Sequence, residues 1–267
     1  MCDPREIKLL RQLLPVGTVI TLRELLEQAG IGSDELPVYL ADLRQCGFIF
    51  RHTEEVIGIV KEPESLVPAM ILAGVQTNTI GREVWVFRET SSTNDRARQA
   101  GVAGAGEGLV IFAEKQTGGR GTHGRKWISL EGGGLWFSIL LRARIPAAQW
   151  PLLVQIAAVA CAEVVEKWVK RTVQIRPPND LMLGGGKLAG FLLETSNTWD
   201  FQVLGIGLNV RSAPVIDGYP TAAVEQFTRN QVSRAILASE LLNHFEEWYL
   251  KRPLAELSSA LERRTGT

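Results

Sequence analysis

Lys187 stands in the run Arg176-Pro-Pro-Asn-Asp-Leu-Met-Leu-Gly-Gly-Gly-Lys-Leu-Ala-Gly190, at the exit of three consecutive glycines and ahead of an apolar stretch. A lysine in that setting either snorkels to solvent or holds a point charge against a bound anion. Residues 118–127 read Gly-Gly-Arg-Gly-Thr-His-Gly-Arg-Lys-Trp, four glycines and four basic side chains in ten positions. Glycines remove Cβ atoms, so backbone N–H groups can converge on an anion, while Arg120, Arg125 and Lys126 supply charge and arginine grips phosphate or carboxylate at two points. The loop is neither a Walker A sequence nor a dinucleotide fingerprint. Its alternative reading is a flexible basic surface loop.

Three further clusters carry polar chemistry. Ser92, Thr93 and Asn94 stand where a helix is expected to begin, so they either cap it or form a polar pocket wall. Pro177 and Pro178 force an extended chain that presents Asn179 and Asp180. The segment Gly205-Ile-Gly-Leu-Asn-Val210 is a strand whose small residues let a ligand lie against the backbone.

The elements that must position these groups read as follows. An apolar face at Ile7, Leu10 and Leu14 predicts a helix over 4–14, stopped by Pro15 and Gly17. Thr21-Leu-Arg-Glu24 is a capping box that opens a second helix ending at Gly30, and a third helix is expected over 33–46. Residues 48–60 form two apolar strands around a polar centre. Three helices and a wing make a winged helix-turn-helix over 1–62. Its third helix carries Asp34, Glu35 and Asp42 against Arg44, and residues 1–62 hold ten acidic and seven basic side chains, which disfavours DNA binding. The other reading of this unit is a structural appendage or a protein contact. Residues 63–82 form a linker with a short helix, and 83–267 the main domain.

In that main domain, strands are expected over 83–87, 108–114, 134–140, 173–176 and 205–210, with a glycine hairpin joining 181–183 to 187–193. Helices are expected through 96–100 and over 147–171, and a last helix from a second capping box, Thr228-Arg-Asn-Gln231, with Leu237, Leu241, Phe245 and Trp248 on one face. The fold class is α+β, a winged helix-turn-helix followed by a mixed-sheet domain.

Of 267 residues, 45% are hydrophobic and 29 basic side chains balance 29 acidic ones, so composition predicts a soluble globular protein with no general pull toward nucleic acid. No apolar run of about 18 residues and no signal-like start is present, so a cytoplasmic location and no membrane partner are expected. Cys2, Cys46 and Cys161 are odd in number and far apart, which predicts reduced thiols rather than a disulfide framework or zinc site.

The motifs in order are Ser-Thr-Asn at 92–94, Glu114-x-Gln116 leading into Gly119-Arg-Gly121, Gly124-Arg-x-Trp127, Pro178-Asn-Asp180, Lys187-Leu-Ala-Gly190 and Gly205-Ile-Gly-Leu-Asn209. This series resembles the biotin protein ligases of the two-function, winged-helix type along essentially the whole chain. The resemblance implies the corresponding mixed-sheet biotin/lipoate ligase-type catalytic domain, with biotin, ATP and Mg²⁺ as ligands and a biotin carrier domain of a carboxylase as partner. Biotin carboxylate attacks the α-phosphate of ATP to give biotinyl-AMP, and a carrier lysine then takes the biotinyl group. By resemblance, Lys187 and Arg120 flank the carboxylate and phosphate, and Ser92, Thr93, Asn94, Gln116, Gly119, Gly121, Gly190, Gly205 and Gly207 bind biotin. Thr122, Arg125, Trp127, Asn179 and Asn209 join them around the nucleotide, with Trp127 as a stacking face, and Asp180 holds Mg²⁺. No general base for the acceptor lysine is evident, and His123 is a weak candidate. The alternative of a different class is a biotin or biotinyl-AMP sensor that regulates transcription without transfer. Pairing into a homodimer is left open.

The sequence departs from the family pattern at three places. Thr122 stands where an arginine is usual, and Arg176-Pro177 where a lysine-tryptophan pair is common, which keeps the charge but loses an aromatic wall. The stretch after Pro253 is too short for the SH3-like barrel that such ligases carry, so a chain lacking that domain is expected.

Overall fold

The computed structural model describes residues 2–251 and 253–265. The chain divides into two compact units after Val75.

In the first unit, Asp3 caps α1 (Pro4–Leu13) by accepting from Arg5 N at 2.8 Å, and Leu9, Leu10 and Leu13 are buried. A short strand β1 (Val19–Thr21) precedes α2 (Leu22–Ala29), whose capping box between Thr21 and Glu24 is formed as the sequence predicts. Gly30 ends α2 at φ 68°, a left-handed position suited to glycine. The third helix, α3 (Leu36–Gln45), starts later than 33 because residues 33–35 make a turn that leaves Glu35 in the cap position without a side-chain cap bond. Strands β2 (Ile49–His52) and β3 (Val56–Lys61) form the expected hairpin, and β1 joins it on the other edge of β3. A fourth helix, α4 (Pro68–Gly74), packs on α1, where Arg11 Nε donates to Ala73 O at 2.9 Å.

The second unit is built on a seven-stranded sheet of β4 (Glu83–Thr90), β5 (Leu109–Gln116), β6 (Gly134–Leu141), β7 (Gln174–Arg176), β8 (Asp180–Leu183), β9 (Gly186–Glu194) and β10 (Gln202–Asn209). Their spatial order is β4-β5-β6-β10-β9-β8-β7, with β4 and β5 parallel and every other pair antiparallel, a mixed sheet. Every residue of β6 and β10 is buried, which explains why these strands read as mostly apolar runs with no polar-apolar alternation. Helix α5 (Thr93–Val102) covers one face through Ala97 and Ala100 against Ile111, Leu140 and Val203. On the other face, α6 (Pro151–Val169) and α7 (Arg234–Leu250) pack Ala157, Cys161, Leu241 and Phe245 against Phe137, Ile139 and Ile206.

Two helix boundaries differ from expectation. Residues 147–149 form a separate short turn before α6, and Lys170 at φ 54° ends that helix. Helix α7 does not begin at Thr228, whose hydroxyl instead donates to Asn230 O at 2.9 Å. Ser233 caps it, accepting from Ile236 N at 3.3 Å, because the preceding residues bend at 229–230 and take no helical turn. A further helix, α8 (Leu254–Thr265), buries Leu257 and Ala260. All three cysteines are free thiols, and no helix among the described residues is long and apolar enough to cross a membrane.

Helix α7 is locked to β5 by a buried ion pair. Arg234 Nη1 and Nη2 donate to the two Glu114 oxygens at 2.8 and 3.1 Å, and both residues are at most 5% exposed. Glu114 therefore serves the fold, holding the strand that delivers Gln116 to the loop beyond it.

Candidate functional site

At one end of the sheet, the start of α5, the end of β5, the loop after it, β9, β10 and the segment after β10 enclose a cavity of about 410 Å³. Ser92, Thr93, Asn94, Gln116, Arg120, Gly121, Thr122, Arg125, Trp127, Asn179, Lys187, Gly190, Gly205, Gly207 and Asn209 all line it. Gly119 and Asp180 stand behind the wall. A Cβ on Gly119 would fall 2.5 Å from Trp127 O, so glycine there lets the two arms of the loop close.

The buried end is a polar lattice. Gln116 Oε1 accepts from Thr93 N at 2.8 Å, and Gln116 Nε2 donates to Ser129 Oγ at 2.9 Å. Ser138 Oγ lies 2.7 Å from Thr93 Oγ1 and 2.5 Å from Asn94 Oδ1, and Asn94 Nδ2 donates to Glu194 Oε2 at 3.1 Å. The 92–94 cluster is thus a pocket wall and not a helix cap, since Ser92 in the cap position makes no side-chain cap bond.

Glycines shape the floor. Antiparallel register sets Gly207 of β10 opposite Gly190 of β9. Added Cβ atoms would fall 2.4 Å and 3.0 Å from the Trp127 ring, so the paired glycines form a trough in which the indole lies. At Gly205 a Cβ would fall 2.4 Å from Asn94 Oδ1. Asn209 Nδ2 donates to Ala222 O at 3.0 Å, whereas Asn209 Oδ1 and Trp127 Nε1 are buried with no hydrogen-bond partner among the described residues.

The basic glycine loop is a small hairpin. Gly121 N donates to Arg125 O at 2.7 Å and Trp127 N to Gly119 O at 2.9 Å, around a turn at His123 (φ 56°) and Gly124 (φ 72°). His123 is exposed at its tip and does not line the cavity, so it is not placed to act as a base there. Arg125 Nη2 donates to Thr122 Oγ1 at 2.8 Å. Arg120 is gripped by two carboxylates: Nη1 and Nη2 donate to Asp95 at 3.0 and 2.9 Å, and Nε and Nη2 to Glu194 Oε1 at 3.2 and 3.1 Å. The hydrogen bond from Arg120 holds the Asp95 carboxyl below its ordinary range.

A second charged chain runs along the opposite wall. Lys187 Nζ lies 2.6 Å from Asp180 Oδ1 and 5.5 Å from the Trp127 ring centroid. Arg176 Nη2 donates to Asp180 Oδ2 at 2.7 Å and to the Tyr219 hydroxyl, and its guanidinium lies 5.3 Å from the Tyr219 ring centroid. Both Asp180 oxygens therefore face cations. Among the described residues no group of three or more His, Cys, Asp or Glu side chains is placed to hold a metal ion.

Sequence reasoning did not single out Ser138, Glu194, Asp95 or Tyr219. Ser138 was legible as the one polar residue inside the apolar run 134–141, and Glu194 as the charge that ends the strand after Lys187. Tyr219 carried no local signal.

Residues 86–210 match the model of the biotin/lipoate A/B protein ligase family. The bifunctional ligase/repressor BirA of Bacillus subtilis (strain 168) is 32% identical over 200 residues, which is 72% of this chain and 61% of that protein. The biotin--[acetyl-CoA-carboxylase] ligase of Mycobacterium tuberculosis is 36% identical over 138 residues, 50% of this chain and 51% of that one. The chain thus spans between about half and three fifths of these relatives' lengths. Among solved structures, the biotin protein ligase of Aquifex aeolicus in complex with biotin and ATP superposes with a TM-score of 0.62 at 25% identity, covering 69% of this chain and 79% of that one. The Leishmania major biotin protein ligase shares the fold, with a TM-score of 0.62 at 22% identity over 69% of this chain and 81% of that one.

Proposed function

Residues 86–210 form a domain of the biotin/lipoate A/B protein ligase family, and from that premise we propose that this chain is a biotin protein ligase. It uses ATP to convert biotin to biotinyl-5′-AMP and passes the biotinyl group to a lysine of a carboxylase's biotin carrier domain. The observation that carries this reading is the two-ended cavity. Its buried end is a hydrogen-bonding lattice of Ser92, Thr93, Asn94, Gln116 and Ser138, and its open end gathers Lys187, Arg125 and Lys126.

Each end suits one part of the chemistry. Ser92, Thr93, Asn94 and Gln116 offer donors and acceptors to the ureido head, while Gly205 leaves the space in which Asn94 sits. The tail then runs toward Lys187, which neutralises charge as the biotin carboxylate bonds to the α-phosphate and pyrophosphate leaves. Arg120 reaches that tail by sharing a guanidinium already held by Asp95 and Glu194. In the second step the neutral carrier amine attacks the mixed anhydride carbonyl, an amide forms and AMP departs. Trp127, Thr122, Arg125, Asn179 and Asn209 border the nucleotide in this reading.

Asp180 is already paired with two cations, and among the described residues no group of three or more His, Cys, Asp or Glu surrounds it. Mg²⁺ fits here as the counter-ion that ATP phosphates carry, not as a resident ion, and no step depends on a protein-held metal.

We assign residues 1–62 to a winged helix-turn-helix domain, 63–82 to a linker whose helix α4 belongs to the first compact unit, and 83–267 to the catalytic domain. Around α3, the acidic Asp34, Glu35 and Asp42 argue against duplex DNA as its partner, and Glu35 itself is tied to Arg5 at 2.6 Å.

The test is intact-mass analysis of a biotin carrier domain incubated with the protein, Mg²⁺-ATP and biotin, beside a Lys187→Ala control. A biotin-sized gain absent from the control supports the ligase. Biotin binding without any gain would favour a sensor that holds biotin or biotinyl-AMP without transfer.

A further inference from the structure

Residues 214–221 border the open end of the cavity, yet little apolar burial holds them there: Val215 is 94% exposed and Ile216 42%. Their fastenings are polar. Lys187 N donates to Pro220 O at 2.8 Å, Ala222 N donates to Lys187 O at 2.9 Å, and Thr221 Oγ1 donates to Pro214 O at 2.6 Å. These bonds tie down the two ends of the segment. The middle, which turns at Gly218 (φ 70°), is held through Tyr219, and Tyr219 is held by Arg176.

Arg176 meets Tyr219 in two ways, by a hydrogen bond to the hydroxyl and by lying over the ring. The same guanidinium donates to Asp180, which in turn pairs with Lys187. Both hydrogen bonds leave from Nη2, which leaves the guanidinium plane free to lie on the ring; a lysine would keep the charge but has no planar group to stack there. Aromatic, cation, anion, cation and aromatic thus alternate along the wall as Trp127, Lys187, Asp180, Arg176 and Tyr219.

We propose that Arg176 and Tyr219 are a positioning pair that pins residues 214–221 as the outer wall of the nucleotide end of the cavity. The proposal rests on the ligase reading for its nucleotide, but the pinning belongs to the free protein and can be tested without it.

Two measurements separate these parts. Hydrogen exchange on the free protein is expected to speed up about tenfold at the residue 219 amide, which donates to Ile216 O at 3.0 Å, in Arg176→Lys and Tyr219→Ala, with Tyr219→Phe, which keeps the ring contact, in between. Steady-state biotinylation is expected to give an ATP KM about tenfold higher in Arg176→Lys, with the biotin KM within about twofold of the parent. Exchange at the residue 219 amide that Arg176→Lys leaves unchanged overturns the pinning. Equal rises in both KM values overturn its assignment to the nucleotide end. If the parent itself neither binds biotin nor consumes ATP, the ligase reading fails, and the exchange result alone still decides whether the pair exists.

Discussion

Lys187 Nζ lies 2.6 Å from Asp180 Oδ1, with side chains only 18% and 9% exposed. A buried carboxylate that loses one of its cations becomes costly, so Lys187→Ala is expected to lower stability by about 1–3 kcal/mol, with Arg176 limiting the loss. Adding Asp180→Asn should recover most of that stability. Activity should stay depressed about 10²- to 10³-fold in both variants, because the charge that meets the phosphate is gone. Urea denaturation beside biotin-dependent ATP–pyrophosphate exchange checks this, and a double variant that regains activity would remove Lys187 from the chemistry.

Gly205→Ala is expected to damage biotin binding selectively. The added methyl would lie 2.4 Å from Asn94 Oδ1, in a lattice where that oxygen is 2.5 Å from the buried Ser138 hydroxyl. Displacing Asn94 breaks a buried contact, so biotin affinity should fall about tenfold or more. Calorimetric titration with biotin reads this directly, and unchanged affinity would show that the ligand does not reach this end.

Thr122 lines the cavity and accepts from Arg125 Nη2 at 2.8 Å, so both side chains are engaged with each other. In Thr122→Arg a second guanidinium would face the phosphate, a charged hydrogen bond of about 1.5–3 kcal/mol. Release of biotinyl-AMP is then expected to slow by roughly tenfold to a hundredfold or more. Filter-binding dissociation of labelled adenylate provides the rate, and equal rates in parent and variant would contradict the expectation.

Glu163 makes the fold sensitive to acid. Burial by itself would raise its carboxyl, but hydrogen bonds from His244 and Trp248 and the charges of His244 and Arg264 bring it down to about 2 from an ordinary 4.5. Because the folded-state value is the lower one, this contribution is complete above about pH 4.5 and is lost as pH falls toward 2. Urea midpoints of the parent should therefore drop between pH 5 and pH 3 more steeply than those of Glu163→Gln. Parallel slopes would show that Glu163 is not the group being titrated.

Where the chain states its own local rule, the sequence reading and the structure agree. The Thr21 and Glu24 capping box, the apolar runs of β5, β6 and β10, and the glycine hairpin before Lys187 each depend on neighbours a few residues away. Where two local rules compete, the sequence left the choice open at residues 92–94 and favoured the wrong cap at Thr228. Ser92, Thr93 and Asn94 fit a cap as well as a pocket, and Thr228 fits a capping box as well as Ser233 fits a cap. In each case the choice was made by partners such as Ser138 and Gln116, or by the bend at residues 229–230 that keeps the helix from starting before Ser233.

The sequence by itself determined which side chains this protein has for the work: the basic glycine loop, Lys187, the polar 92–94 cluster and the glycines of the last strand. Only the tertiary structure decided who holds whom. Arg120 is gripped by Asp95 and Glu194, Arg176 joins Asp180 to Tyr219, and Gly190 faces Gly207 beneath Trp127. Apart from Arg176 and Asp180, these partners lie between 17 and 80 residues apart, from Gly190 and Gly207 to Trp127 and Gly207. Their meeting depends on antiparallel register and on the path of loops between strands, and shifting one strand by a single residue would turn every such side chain to the opposite face.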